Sequence, residues 1–216
     1  PPYVTTGQQT AAVTFETLSG EINTWSWDSS ALTAQNTTGS IIRELSYSEI
    51  EYLNLNEFGF EGGSKYQRLG DFGLYYQLNP FVIASNFTPL AEDFYNRNQA
   101  DTDRIREAWN FVTQLNEYVA DIGETPRFPL ETLLLGGGDC EDSAILLASI
   151  LYAMPTDLNT KFWYIDIDNP ADPQNINHVI VGAETDERAY LIETTGNQMQ
   201  PYDEVDGFAV DVSSSQ

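Results

Sequence analysis

The chain has 216 residues, of which 41% are hydrophobic and 12% aromatic, enough to bury the core of one ordinary domain. This composition excludes global disorder. No apolar run reaches the roughly 20 residues that a membrane-spanning helix needs. The 33 acidic and nine basic side chains give a net charge of -24, which repels nucleic acid and anionic lipid. We therefore expect neither a nucleic-acid partner nor a membrane-spanning segment.

The acidity itself has two interpretations. Lysine occurs only at Lys65 and Lys161, and scarce lysine with many carboxylates is typical of a halophile's surface, where salt screens the self-repulsion. The alternative is an ordinary acidic secreted protein. We favour the first interpretation and expect an extracellular or cell-envelope protein of a halophilic organism, with a cytoplasmic location left open.

The first half of the chain leans towards β-structure. Residues 11–18 predict a strand, and the alternation of Trp25 and Trp27 predicts another that is half-buried. Residues 57–71 are rich in glycine and predict turns, before a short apolar strand at residues 74–78.

The second half alternates helices and then strands. Helical spacing predicts a short helix over residues 90–96 and a longer one over 103–121, followed after several prolines and glycines by an apolar helix over 140–154. Strands are predicted at residues 161–167, 178–184 and 188–193, the last two as a hairpin. This order predicts an α+β fold with helices packed on an antiparallel sheet.

The change of character near residue 90 also predicts a division of the chain. We expect a β-leaning N-terminal extension at residues 1–90, packed on a catalytic core at residues 91–210, with a frayed tail at residues 211–216.

The single cysteine stands where chemistry can use it. Cys140 follows three glycines at 136–138 and begins the apolar helix, whose N–H groups and positive partial charge favour a thiolate and can hold an oxyanion. The carboxylates of Asp139, Glu141 and Asp142 oppose this effect and raise the pKa of the thiol. A neighbouring imidazolium would have to outweigh them.

The single histidine and one carboxylate can meet this cysteine. His178 begins one strand of the predicted hairpin and Glu193 ends the other, so both lie near its open end. A carboxylate there can hold the imidazole tautomer, as in nucleophilic catalysis. We therefore predict Cys140 as nucleophile, His178 as base and Glu193 as the residue that orients the base.

These segments resemble the transglutaminase-like superfamily, and most closely its bacterial and archaeal cysteine-protease branch with a Gly-Asp-Cys-Glu-Asp signature. The matching segments are residues 129–133 (PLETL), 136–147 (GGGDCEDSAILL), 178–182 (HVIVG) and 190–196 (YLIETTG). The resemblance covers roughly residues 98–196, about half of the chain, and residues 1–90 match only loosely.

The resemblance implies a papain-like Cys-His-acid triad on an α+β core. Members of the superfamily include protein cross-linkers, cysteine peptidases, glycan-removing amidases and catalytically dead scaffolds. Glu193 departs from the Asp that much of the superfamily carries, yet its longer side chain can still reach the ring.

Two further site assignments stay open. Some peptidases of this branch bind calcium at the Asp-Cys-Glu segment, so Asp139 and Glu141 are candidate ligands, although calcium takes six to eight oxygens and the others are not apparent. A preference for acids at a helix start explains the same two residues. For the oxyanion, Asn110 and Gln114 are candidate side-chain donors. We otherwise expect a reaction without cofactor or metal.

The expected activity is attack of the Cys140 thiolate on a peptide or amide carbonyl, with a thioester intermediate and a protein or peptide as substrate. We expect hydrolysis, since water is the default acceptor. Acyl transfer to an amine, as in a transglutaminase, is one alternative, and a non-catalytic envelope binding module on the same fold is another.

Overall fold

The computed structural model describes residues 10–28, 33–36, 66–115, 117–118, 126–169, 173–196, 198–202 and 207–214. The first part of the predicted turn segment, up to residue 65, and the last residues of the helix predicted to reach 121 lie outside these ranges.

The chain's first described strands form a three-stranded antiparallel sheet in sequence order. They are β1 (Thr10–Glu16), β2 (Ile22–Asp28) and β3 (Thr33–Asn36). Val13 on β1 pairs with Trp25 on β2, and both side chains are buried. The strands predicted from residues 11–18 and from the tryptophan pair are therefore present, and the buried Trp25 agrees with a strand that buries one face.

A second hairpin follows. It consists of β4 (Tyr66–Arg68) and β5 (Leu74–Tyr76), joined by a turn in which the N–H of Leu69 donates to the carbonyl of Gly73. The prediction of turns throughout residues 57–71 is wrong for residues 66–68. These residues form β4, which pairs with β5 on the other side of the turn. Two short 3-10 helices, Asn79–Phe81 and Ala84–Asn86, then lead into the helical part.

Four α-helices occupy the middle of the described chain. They are α1 (Thr88–Arg97), α2 (Asp101–Leu115), α3 (Pro129–Leu135) and α4 (Cys140–Tyr152). α4 is buried around nearly its whole circumference from Asp142 to Leu151, as its continuous apolar sequence requires. Within the described ranges, no helix is both long and apolar enough to cross a membrane.

A pair of two-residue strands lies beside the start of α4. β6 (Glu117–Tyr118) pairs in parallel with β7 (Gly137–Gly138). The prediction that the second helix continues to residue 121 is therefore wrong beyond Leu115, since Glu117 and Tyr118 bond to another strand instead of to the preceding helical turn.

The main sheet has five strands in the order β11-β10-β9-β8-β12, and every neighbouring pair is antiparallel. Its strands are β8 (Asn159–Ile165), β9 (His178–Glu184), β10 (Ala189–Glu193), β11 (Gln198–Pro201) and β12 (Phe208–Asp211). α4 packs on β8 and β9 and also contacts α1, α2 and α3. Helices therefore cover an antiparallel sheet, and the predicted α+β class is confirmed.

The two ends of the described chain are tied to this assembly. Phe15 of β1 packs edge-on against Phe94 and Phe111, with ring centroids 5.9 and 5.0 Å away. Near the other end, the N–H of Val212 donates to the carbonyl of Thr160 at 2.8 Å, and the hydroxyl of Ser214 donates to the carbonyl of Val82. Residues 212–214 thus carry hydrogen bonds where we expected fraying, and the division at residue 90 stays a prediction.

Candidate active site

The glycines before Cys140 place the start of α4. Gly136 ends α3 in the left-handed conformation, with φ of 75°, which glycine adopts without a steric penalty. At Gly138 a Cβ atom would lie 2.5 Å from Oδ2 of Asp142. The chain therefore turns at Gly136 and comes so close to α4 at Gly138 that only a hydrogen fits there.

Of the three acidic residues around Cys140, Asp142 forms an ion pair with Arg127. Asp142 is fully buried, and its Oδ2 lies 3.1 Å from Nη1 of Arg127. The N–H of Arg127 donates to Oδ1 of Asp142 at 2.7 Å. Because a buried carboxylate needs such partners, this pair fixes the first turn of α4 and offsets the charge of Asp142.

The Cys140 sulfur lies at the border between α4 and β9. It accepts a hydrogen bond from the N–H of Val179, the residue after His178, and its thiol lies 3.3 Å from Oε2 of Glu141, to which it donates. Burial, and then the charge of Glu141, raise the pKa of the Cys140 thiol far above its usual range. Both effects oppose the thiolate that the start of α4 favours, so the two opposing influences predicted from the sequence are both present at the sulfur.

Asp139 and Glu141 form a carboxyl pair on either side of Cys140. Asp139 is buried. Burial, and then the charge of Asp139, raise the pKa of Glu141 to about 8. The protonated form of Glu141 is therefore favoured more than in an exposed glutamate.

His178 and Glu193 are in direct contact. Nε2 of His178 lies 2.6 Å from Oε2 of Glu193. The register of the β9-β10 hairpin, with Ile192 opposite Val181, places Glu193 diagonally across from His178 on the same face of the sheet. The predicted pairing of these two residues at the open end of the hairpin is therefore present in the geometry.

The surroundings of Glu193 fix its carboxylate. Its Oε1 accepts hydrogen bonds from the N–H of Thr195 at 2.9 Å and from the Thr195 hydroxyl at 2.7 Å, and its carbonyl accepts one from Nε1 of Trp109 at 2.9 Å. Burial opposes ionisation of Glu193, yet the hydrogen bonds from His178 and Thr195 outweigh it and lower its pKa. Trp109 lies on α2, and its bond to Glu193 has no signature in the sequence.

Cys140 lies beside this pair without being bonded to it. Among the described residues its thiol donates to Glu141 and makes no hydrogen bond to the His178 ring. With Nε2 of His178 turned to Glu193, the nitrogen left for the sulfur is Nδ1. The arrangement can move a proton from a thiol to an imidazole that a carboxylate holds in place.

The two candidate oxyanion donors are engaged elsewhere. Nδ2 of Asn110 donates to the carbonyl of Glu16 at 2.7 Å, and Nε2 of Gln114 donates to the same carbonyl at 2.8 Å. Oε1 of Gln114 accepts from the N–H of Glu16. These two amides on α2 hold the end of β1, and the suggestion that they bind an oxyanion is wrong.

A scan against models of known protein families found no match, and a search of curated proteins found none either. A search of solved structures found low similarity to LapG of Legionella pneumophila, with 16% identity and a TM-score of 0.36 over 61% of this chain and 86% of LapG. The same protein matches in a calcium-bound form, at a TM-score of 0.34.

Two other solved structures are similar at the same level. A candidate cysteine protease from Cytophaga hutchinsonii is 12% identical, with a TM-score of 0.41 over 68% of this chain and 58% of that one. A candidate protease from Parabacteroides distasonis is 10% identical, with a TM-score of 0.42 over 97% of this chain and 43% of that one. Because these TM-scores are below 0.5, the matches do not by themselves assign a family, and the functional case rests on the residues of the site.

Proposed function

We propose that this chain is a thiol enzyme of the transglutaminase-like superfamily, a cysteine peptidase or amidase, in which Cys140 is the nucleophile, His178 the base and Glu193 the residue that orients the base. The contact of 2.6 Å between His178 and Glu193, beside the only cysteine of the chain, supports this most directly. An ionised Glu193 keeps the imidazole proton on Nε2, which leaves Nδ1 free to take the proton of the thiol.

The reaction proceeds in two halves. The Cys140 thiol gives its proton to His178, and the sulfur bonds to the carbonyl carbon while the π electrons of the carbonyl move to its oxygen. The C=O bond re-forms as the C–N bond breaks, and His178 passes the proton to the departing amine. Water, activated by His178, then adds to the thioester, and the acid leaves as the C–S bond breaks and the sulfur regains its proton.

The raised pKa of the Cys140 thiol gives this mechanism a particular starting state. The nucleophile rests as a thiol, and it reacts only when its proton is transferred to His178 with the substrate in place. The raised pKa of Glu141 supports the step, because a protonated Glu141 carries no negative charge that would oppose a thiolate.

A chromogenic ester tests the proposal without knowledge of the natural substrate. p-Nitrophenyl acetate should give a burst of p-nitrophenolate from the wild-type chain, and Cys140→Ser should lose nearly all of it, because a hydroxyl is far less ionised than a thiol. Wild-type protein without a burst would favour the alternative of a non-catalytic envelope module.

The fate of the acetyl group distinguishes hydrolysis from acyl transfer. With a primary amine such as glycine ethyl ester present, a peptidase or amidase should release mainly acetate. A product that is mainly the N-acetylated amine would instead identify a transglutaminase-type acyltransferase, since both outcomes share the same thioester.

Calcium at Asp139 and Glu141 is supported only by the type of ligand. Their carboxylates are oxygen donors of the kind that calcium takes, but calcium requires six to eight oxygens, and the described residues contain no group of three or more acidic, His or Cys side chains that could hold a metal. The described residues therefore do not complete a calcium site, and no step of the mechanism uses one. If EDTA lowers the melting temperature or the burst and calcium restores it, the two residues are ligands.

The proposed setting follows from the charge. A net charge of -24 suits a protein of a halophile's cell envelope or exterior that acts on proteins or peptides.

A further inference from the structure

Tyr118 lies next to the nucleophile segment although it is distant from it in sequence. β6 pairs in parallel with β7 so that Tyr118 stands beside Gly138, two residues before Cys140. Neighbouring strands lie about 4.8 Å apart, and a tyrosine side chain is long enough to extend along the partner strand past two residues.

The electrostatic surroundings of Tyr118 agree with this position beside the nucleophile segment. Partial burial, and then the charges of Cys140, Asp139 and Glu141, raise the pKa of Tyr118. The phenol is thus within electrostatic range of the sulfur and of both flanking carboxyls. A tyrosine phenol is neutral near pH 7 and can donate a hydrogen bond.

The hydroxyl is also available to a ligand. Tyr118 is 62% exposed, which is high for so large an aromatic side chain, and its hydroxyl makes no hydrogen bond to any of the described residues. A solvent-facing phenol near a half-buried thiol can contact a carbonyl group that binds there.

The proposed reaction needs a donor at this place. When the Cys140 sulfur adds to a carbonyl, a full negative charge forms on the carbonyl oxygen, and donors fixed beforehand stabilise it most. The N–H groups at the start of α4 supply one side of such a site. The side-chain amides suggested by the sequence, on Asn110 and Gln114, are bound to Glu16 of β1.

We propose that Tyr118 is a catalytic residue whose hydroxyl donates a hydrogen bond to the carbonyl oxygen of the group attacked by Cys140, opposite the backbone N–H groups at the start of α4. This inference rests on the proposed function and names a residue that the triad does not contain. The hydroxyl keeps its proton throughout: it stabilises the oxyanion and releases it when the C=O bond re-forms.

Two reactions of the same thiol test this role. Acylation by p-nitrophenyl acetate passes through an oxyanion, whereas alkylation by iodoacetamide displaces iodide at a saturated carbon and forms none. Tyr118→Phe keeps the ring and removes only the hydroxyl. We expect its acylation rate to fall by about tenfold to a hundredfold and its alkylation rate to stay unchanged. The expected fall is smaller than for an oxyanion-hole donor in a water-excluded site, because Tyr118 is exposed. Tyr152→Phe, an exposed tyrosine at the end of α4, serves as the matched control and should change neither rate.

Each other outcome contradicts the inference. An unchanged acylation rate in Tyr118→Phe would show that the hydroxyl does not contact the oxyanion. An equal loss in both reactions would show that Tyr118 shapes the site without acting as a donor. A wild-type chain that reacts with iodoacetamide at Cys140 but gives no burst would overturn the proposed function, and this inference with it.

Discussion

Glu193 binds His178 through one carboxylate oxygen and Thr195 through the other, so its position is fixed on both sides. Removing only its charge should therefore harm the reaction less than removing the base. We expect His178→Ala to lower the acylation rate by about 10²–10⁴-fold and Glu193→Gln to lower it less, because the amide can still contact the ring.

The pH dependence of the acylation rate provides the measurement. The pKa of Glu193 in the folded chain is lowered from its usual 4.5, so the carboxylate stays ionised above pH 4.5. Its support of His178 is lost only when the pH falls through the lower pKa of the folded chain. Glu193→Gln should lack this acid limb. A glutamine variant as inactive as His178→Ala would contradict the orienting role.

Glu141 raises the pKa of the Cys140 thiol through both its charge and its hydrogen bond. Because burial and this carboxyl raise the pKa of the thiol, alkylation by iodoacetamide should keep accelerating with pH beyond about 8.5, where an ordinary cysteine levels off. Glu141→Gln should alkylate severalfold faster at pH 9, where the wild-type carboxyl is ionised. Glu187→Gln, in the exposed turn after β9, is the control. Equal rates in wild type and Glu141→Gln would show that Glu141 does not set the pKa of the thiol.

Among the elements, the connection from α3 through β7 to α4 is the most sensitive to substitution. Gly138→Ala would place a Cβ 2.5 Å from Oδ2 of the buried Asp142, and overpacking of this kind costs about 1–3 kcal/mol or more. At Gly136 an added Cβ would have no neighbouring atom within 4 Å. The cost of Gly136→Ala therefore comes only from the positive φ of 75° and is about 1–2 kcal/mol.

Urea unfolding of the two variants compares these costs directly. Gly138→Ala should have the lower midpoint and should also lose the acylation burst, because Cys140 follows two residues later. Equal midpoints, or a more damaging change at Gly136, would contradict the close packing of Gly138 against Asp142.

The helices and strands differ in how well they can be predicted from the sequence. The continuous apolar run of β9 predicted its bounds, residues 178–184, and the hairpin with β10 brought His178 to Glu193 as expected. Strands as short as β6 and β7 have no periodicity to detect, since their pairing depends on a neighbour in space. The contact of Tyr118 with the nucleophile segment was for this reason not predicted.

Reactivity was harder to predict than position. The sequence around Cys140 contains both a helix start, which lowers the pKa of the thiol, and acidic residues, which raise it. Which effect dominates depends on burial, and burial of the sulfur between α4 and β9 is a property of the folded chain.

For the whole molecule, the net charge of -24 predicts a salt-dependent stability. The Debye length falls from about 10 Å at 0.1 M salt to about 3 Å at 1 M, so repulsion among surface carboxylates weakens. The melting temperature should rise between low and molar KCl, and NaCl should act alike if screening is the cause. A melting temperature that stays flat or falls in both salts would remove the halophile interpretation.

In the proposed reaction an acyl group passes through Cys140 with His178 as base. Mass spectrometry of chain quenched in acid during turnover of p-nitrophenyl acetate tests it directly, because the covalent adduct can be assigned to one residue. We predict an acetyl thioester on Cys140 of the wild type, no adduct in Cys140→Ser, and a rate of formation in His178→Ala that is about 10²–10⁴-fold lower. An adduct on another residue, or one that forms on Cys140 at the same rate without His178, would contradict the account.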